Sequence, residues 1–137
     1  MIRSHKKVKV IITDDSNSFL AGLENMLSGN PHFEVIEKCE NGLELLKNRN
    51  LIMADLLLID IEMPKMNGLE AASRINFQYP ELPMIAITTN IKDVFLKDII
   101  YAGFKGFIYK PKLQEELFET IDKVLSNKFS FPKDLKL

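Results

Sequence analysis

Five short apolar runs recur along the chain, each followed by a stretch with helical periodicity. This alternation constrains the fold more than any other feature of the sequence. The runs are VKVIITDD (8–15), FEVIEKC (33–39), ADLLLID (54–60), PMIAITT (83–89) and GFIYKP (106–111). The first helical segment, SNSFLAGLENMLSG, opens on capping residues and places Leu20, Leu23 and Leu27 in step before Gly29. A short helix follows at NGLELLKNRN, another at 68–79 stopped before Pro80, and a fourth at 91–102. The last, LQEELFETIDKVLSN, keeps Leu113, Leu117, Ile121 and Leu125 on one stripe. Parallel strands need crossover helices, and helices on both faces explain a run as uniformly oily as LLLI. The expected architecture is one α/β domain: a five-stranded parallel sheet, doubly wound, with the more alternating second run at an edge.

Composition fits that expectation and removes other classes. A chain of 137 residues with 46% hydrophobic content can bury one substantial core. Eighteen basic and nineteen acidic side chains leave a net charge of -1, which points to neither nucleic acid nor an anionic membrane. The single cysteine, Cys39, has no internal disulfide partner, as suits a reducing compartment. No run reaches membrane-span length, and MIRSHKK lacks the apolar core of a signal peptide. The expectation is a soluble cytoplasmic protein with its domain at 1–127 and a tail, FSFPKDLKL, for which the pattern assigns no place.

In an open parallel sheet the ligand site lies beyond the carboxyl ends of the strands. Asp14 and Asp15 end the first strand, Asp60 the third, Thr88 the fourth and Lys110 the fifth. Distant positions therefore converge on one rim. Carboxylates gathered there repel one another and call for a compensating cation, and an all-oxygen set suits magnesium. Lys110 and Thr88 add a positive charge and a hydroxyl donor, equipment for an anion such as a phosphoryl group. Each feature alone has an ordinary structural use as a cap or turn former; the weight lies in their falling at the same ends of successive strands. His5 and His32 lack partners at metal-ligand spacing, and Cys39 reads as a small apolar residue at a strand end.

Over residues 7 to 127 the motifs TDDS, LLLIDIEMPKMNGLE, AITTN and AGFKGFIYKP resemble the receiver domain of bacterial two-component response regulators. The resemblance implies a flavodoxin-like (βα)5 fold with strand order 2-1-3-4-5. It implies Asp60 as phosphoacceptor, magnesium held by Asp14, Asp15, Asp60 and the Glu62 backbone carbonyl, and Thr88 and Lys110 on the phosphoryl oxygens. Phe107 stands where the family has its switch aromatic, often Tyr; Thr89 is bulkier than the residue common at its place, and Glu62 and Asn90 flank the path of the hydrolytic water. The implied partner is a sensor histidine kinase or phosphotransfer protein. The chain would be a signalling switch rather than an enzyme, assisting only its own phosphorylation and dephosphorylation.

Two other classes bear on the same residues. A magnesium-dependent phosphatase of the haloacid dehalogenase type needs Asp-x-Asp after its first strand, where this chain has adjacent acids. The other is the receiver portion of a DNA-binding regulator; nothing after residue 127 could form a helix-turn-helix, so this chain alone is not expected to read DNA. Two structural expectations complete the reading. The family likeness implies a cis Lys110-Pro111 bond. Spacing in the fourth helix puts Leu96, Ile99, Ile100 and Gly103 inward and leaves Val94, Phe95 and Tyr101 wholly or partly outside, a partner or homodimer face completed by the fifth strand and fifth helix.

Overall fold

The computed structural model describes residues 6–137; His5 lies outside them. Five strands form one parallel sheet in the order β2-β1-β3-β4-β5: β1 (Val8–Thr13), β2 (Phe33–Cys39), β3 (Leu56–Asp60), β4 (Met84–Thr88) and β5 (Gly106–Tyr109). The connecting helices are α1 (Asn17–Ser28), α2 (Gly42–Leu46), α3 (Gly68–Gln78), α4 (Leu96–Tyr101) and α5 (Leu113–Leu125), with short 3-10 turns at Arg49–Met53 and Lys110–Lys112. Alternate side chains of the central strands enter two cores. Val10, Ile12, Leu58 and Ile85 pack with α1 and α5, whereas Ile11, Leu57, Ile59 and Ala86 pack on the side of α2, α3 and α4. Every residue of β3 and β4 is buried, which accounts for their continuous apolar runs. Among the described residues no helix is long and apolar enough to cross a membrane.

The helix starts follow their caps. Ser16, Asn41 and Asn67 each accept a backbone N–H three residues on, which sets the beginnings of α1, α2 and α3. Between β3 and α3 the turn passes through Lys65, held in the left-handed region at φ 68°. Gly68 then comes directly against the end of β3: a Cβ there would collide with the Asp60 carbonyl oxygen and the Ile61 Cα. Glycine lets α3 begin close behind the strand that ends in Asp60.

Three expectations are corrected. The fourth helix spans Leu96–Tyr101 rather than 91–102. Asn90 spends its side chain on Asp93 at 2.8 Å, and Phe95 is extended, so the segment before the helix folds as a loop. That loop buries Val94, which is only 7% exposed, and helical rotation leaves Ile100 outside at 47%. Ile99 is the buried residue of the predicted stripe, Leu96 and Gly103 are half-buried, and Phe95 and Tyr101 are exposed as expected. The Lys110-Pro111 bond is trans, since the described chain contains no cis peptide bond. Pro111 sits in the first turn of a 3-10 helix, where its fixed φ suits a helical start, and the long Lys110 side chain alone spans the distance to the rim.

The segment after α5 has a place. Asn127, at φ 62°, turns the chain back, and Ser130 pairs in parallel with Gly106 on the open edge of β5. Further along, Lys136 pairs with Phe95, and Leu135 is buried in the same core cluster as Val94, Ile99, Phe104 and Phe107.

Candidate functional site

The rim formed by the ends of β1, β3 and β5 collects the predicted residues. Asp14 follows β1 and is buried; its Oδ1 accepts the Ser16 amide at 2.9 Å, which fixes the carboxylate as the chain turns into α1. Asp15 beside it is exposed. Asp60 closes β3, is 4% exposed, and receives a long contact of 3.4 Å from the Glu62 amide. Carboxylate oxygens of Asp14, Asp15 and Asp60 all lie within 4.8 Å of one another.

Lys110 is the cation that makes this arrangement tolerable. Its Nζ lies 2.6 Å from Asp14 Oδ2 and 3.7 Å from Asp60 Oδ2. Apart from that ammonium, Asp14 Oδ2 is buried without a hydrogen-bond donor. One lysine does not balance three carboxylates. Burial raises the Asp60 pKa from its ordinary 3.8 to about 7; the neighbouring Asp14 carboxylate adds to the rise, and Lys110 opposes it. A cluster of hard oxygen donors, one of them buried and short of donors, fits a divalent cation such as magnesium.

Thr88 ends β4, fully buried, and its hydroxyl accepts the Asn90 amide at 3.1 Å. Asn90 in turn places its side-chain amide 3.5 Å from Glu62 Oε2, so the two residues expected to flank the site do face one another. Phe107 is buried in β5, two residues before Tyr109, the partner of Thr88 in the ladder. Cys39 is buried at its strand end, and desolvation pushes its thiol up to about 12, as expected of a packing residue. His32 stays in an exposed loop away from these groups.

One contributor escaped the sequence reading. The Lys110 ammonium sits over the Phe19 ring, 4.2 Å from its centroid, and so has an aromatic contact besides the acids. The available signal was small: Phe19 is a large apolar residue one position out of step with the Leu20, Leu23 and Leu27 stripe.

Comparison with known proteins places this geometry. Residues 10–122 match the family model described as the response regulator receiver domain. The chain is 32% identical over 116 residues to the chemotaxis protein CheY of Listeria monocytogenes, covering 85% of this chain and 97% of that protein. It is 29% identical to the transcriptional regulatory protein DegU of Brevibacillus brevis, covering 86% of this chain and 50% of DegU. A similarity of 31% to YdfI of Bacillus subtilis covers 93% of this chain and 59% of that one. The chain thus spans about half the length of these two transcriptional regulators. Among solved structures, a DNA-binding response regulator of the LuxR family from Staphylococcus aureus superposes with a TM-score of 0.78 at 27% identity, over 86% of this chain and 98% of that one. The isolated receiver domain of RcsB from Salmonella enterica gives 0.83 at 22% identity over 95% and 96%, a likeness of fold. With its sheet order, its convergent acids and this match over most of its length, the chain belongs to the response regulator receiver domain family.

Proposed function

We propose that the chain is a phosphorylation-dependent switch in which Asp60 accepts a phosphoryl group from a phosphohistidine of a sensor kinase or phosphotransfer protein. The observation that carries this reading is the meeting of Asp14, Asp15 and Asp60 with the Lys110 ammonium at one rim. An Asp60 oxygen attacks phosphorus as the P–N bond breaks, and the electron pair stays on the imidazole, which leaves as the neutral side chain once protonated. Lys110 moves its charge from Asp14 toward the transferred oxygens, and the Thr88 hydroxyl donates to another of them. Asp14, Asp15, Asp60 and the Glu62 carbonyl would hold magnesium, which when bound offsets the repulsion between carboxylate and phosphoryl group. Buried walls around Asp60 limit water, and the exposed Glu62 and half-buried Asn90 border the side from which hydrolysis ends the signal. The burial that raises the Asp60 pKa also leaves its carboxylate poorly solvated, so a cation at the rim is needed to keep it anionic at neutral pH.

In this reading residues 1–127 form the receiver, a cytoplasmic module, and the face of α4, β5 and α5 beside Phe107 carries its output to a partner or a second copy. Because DegU and YdfI are transcriptional regulators about twice the matched length, a second reading takes the chain as the receiver part of such a regulator. Incubation with acetyl phosphate and magnesium tests the central step. Intact mass should rise by one phosphoryl group, and Asp60→Asn should abolish the gain; equal labelling of the variant would overturn the assignment.

A further inference from the structure

Residues 129–137 are tied at both ends to elements that border the site. At one end the Ser130 amide donates to the Lys105 carbonyl at 2.9 Å, and the Phe107 amide donates to the Ser130 carbonyl at 3.0 Å. At the other, the Leu96 amide donates to the Lys136 carbonyl at 2.6 Å, so this segment supplies the main-chain acceptor that α4 lacks from any side-chain cap. Between these ties Leu135 is buried with Val94 and Phe107, and Phe131 packs on the same cluster. At the start of the segment Phe129 stacks on Phe131 and lies under the Lys105 ammonium at 5.1 Å.

The second tie leads back to the phosphoryl pocket. Thr88 Oγ1 accepts the Asn90 amide, Asn90 binds Asp93, Val94 is buried, and Phe95 and Leu96 are fastened to Lys136. The connection from the Thr88 hydroxyl to the segment is continuous. The Thr88 hydroxyl oxygen thus accepts from the loop that leaves β4.

We propose that residues 129–137 form an intramolecular strap whose seating on the β5 edge and the start of α4 opposes loading of Asp60. This rests on the reading that Thr88 turns to a phosphoryl group on Asp60. That turn carries the 89–95 loop with it, and the loop cannot follow while Leu135 and Lys136 pin its far end. By linkage, whatever unseats the strap must favour loading to the same degree that loading unseats the strap. Release also uncovers the edge of β5 and the apolar cleft beneath Leu135, so a partner docking there would draw the balance the same way.

The test is amide hydrogen exchange by NMR on the full chain, with magnesium alone and with beryllofluoride plus magnesium, alongside beryllofluoride titrations. Loading should speed exchange of the Leu96 and Phe107 amides about fivefold or more, and Leu135→Asp should bind beryllofluoride tighter by a similar factor. Ser130→Pro, which removes a different tie, should act in the same direction and guards against a folding defect in the first variant. If beryllofluoride binds at Asp60 while these amides and both affinities stay at their unloaded and wild-type values, the segment is only an edge cover and the proposal is overturned, with the role of Asp60 intact. If beryllofluoride does not bind, both readings fall.

Discussion

At the scale of single residues, Asp60 is held at a cost to the fold. Its neutral form is favoured because the site is buried and faces Asp14, which puts the folded pKa near 7 against 3.8 for an ordinary aspartate. Between those values the folded chain holds a proton that the unfolded chain has lost. Stability therefore falls as pH rises through that window and levels off above it. Asp60→Asn removes the titration. Without divalent cations, the variant should exceed the wild type by on the order of 4 kcal/mol at pH 8, and the gap should close toward pH 4. Urea midpoints at the two pH values check this; a gap that is constant or reversed would mean Asp60 is not ionised under strain. The carboxylates and Lys110 were legible in the sequence because each falls at a strand end. Phe19 was not, because nothing local says that a ring on α1 lies beside a lysine that follows β5.

At the scale of elements, the turn from β3 into α3 does the positioning. Gly68 packs against the Asp60 carbonyl with no room for a Cβ, so Gly68→Ala must push α3 from the strand. A loss of about 2 kcal/mol or more is expected in urea unfolding, larger than an exposed Gly→Ala change would give in either direction. The sequence places this turn correctly because Asn67 and Gly68 announce a capped helix start. It misplaces the start of α4 because apolar spacing continues through 91–95, whereas the Asn90–Asp93 bond and the burial of Val94 delay the helix start to Leu96. Periodicity detects a helix face but not the tertiary contact that shortens it. The same limit applies to Lys110-Pro111, where a 3-10 turn and a long side chain replace the expected cis bond.

At the scale of the molecule, alternating runs and helices were enough to specify a parallel sheet with helices on both faces, while its order came from the family likeness. The strap over β5 was beyond either source. FSFPKDLKL is short, carries Pro132 and has no clear period, and its place is decided by an unpaired strand edge and a cleft built from residues far away in the chain. The proposed acceptor role of Asp60 can be tested at the bond itself. Borohydride reduces an aspartyl phosphate to homoserine, so chain treated with acetyl phosphate and magnesium, then reduced and digested, should give homoserine at position 60 and aspartate at 14 and 15. Homoserine at another acid, or phosphate retained elsewhere with Asp60 unreduced, would contradict it.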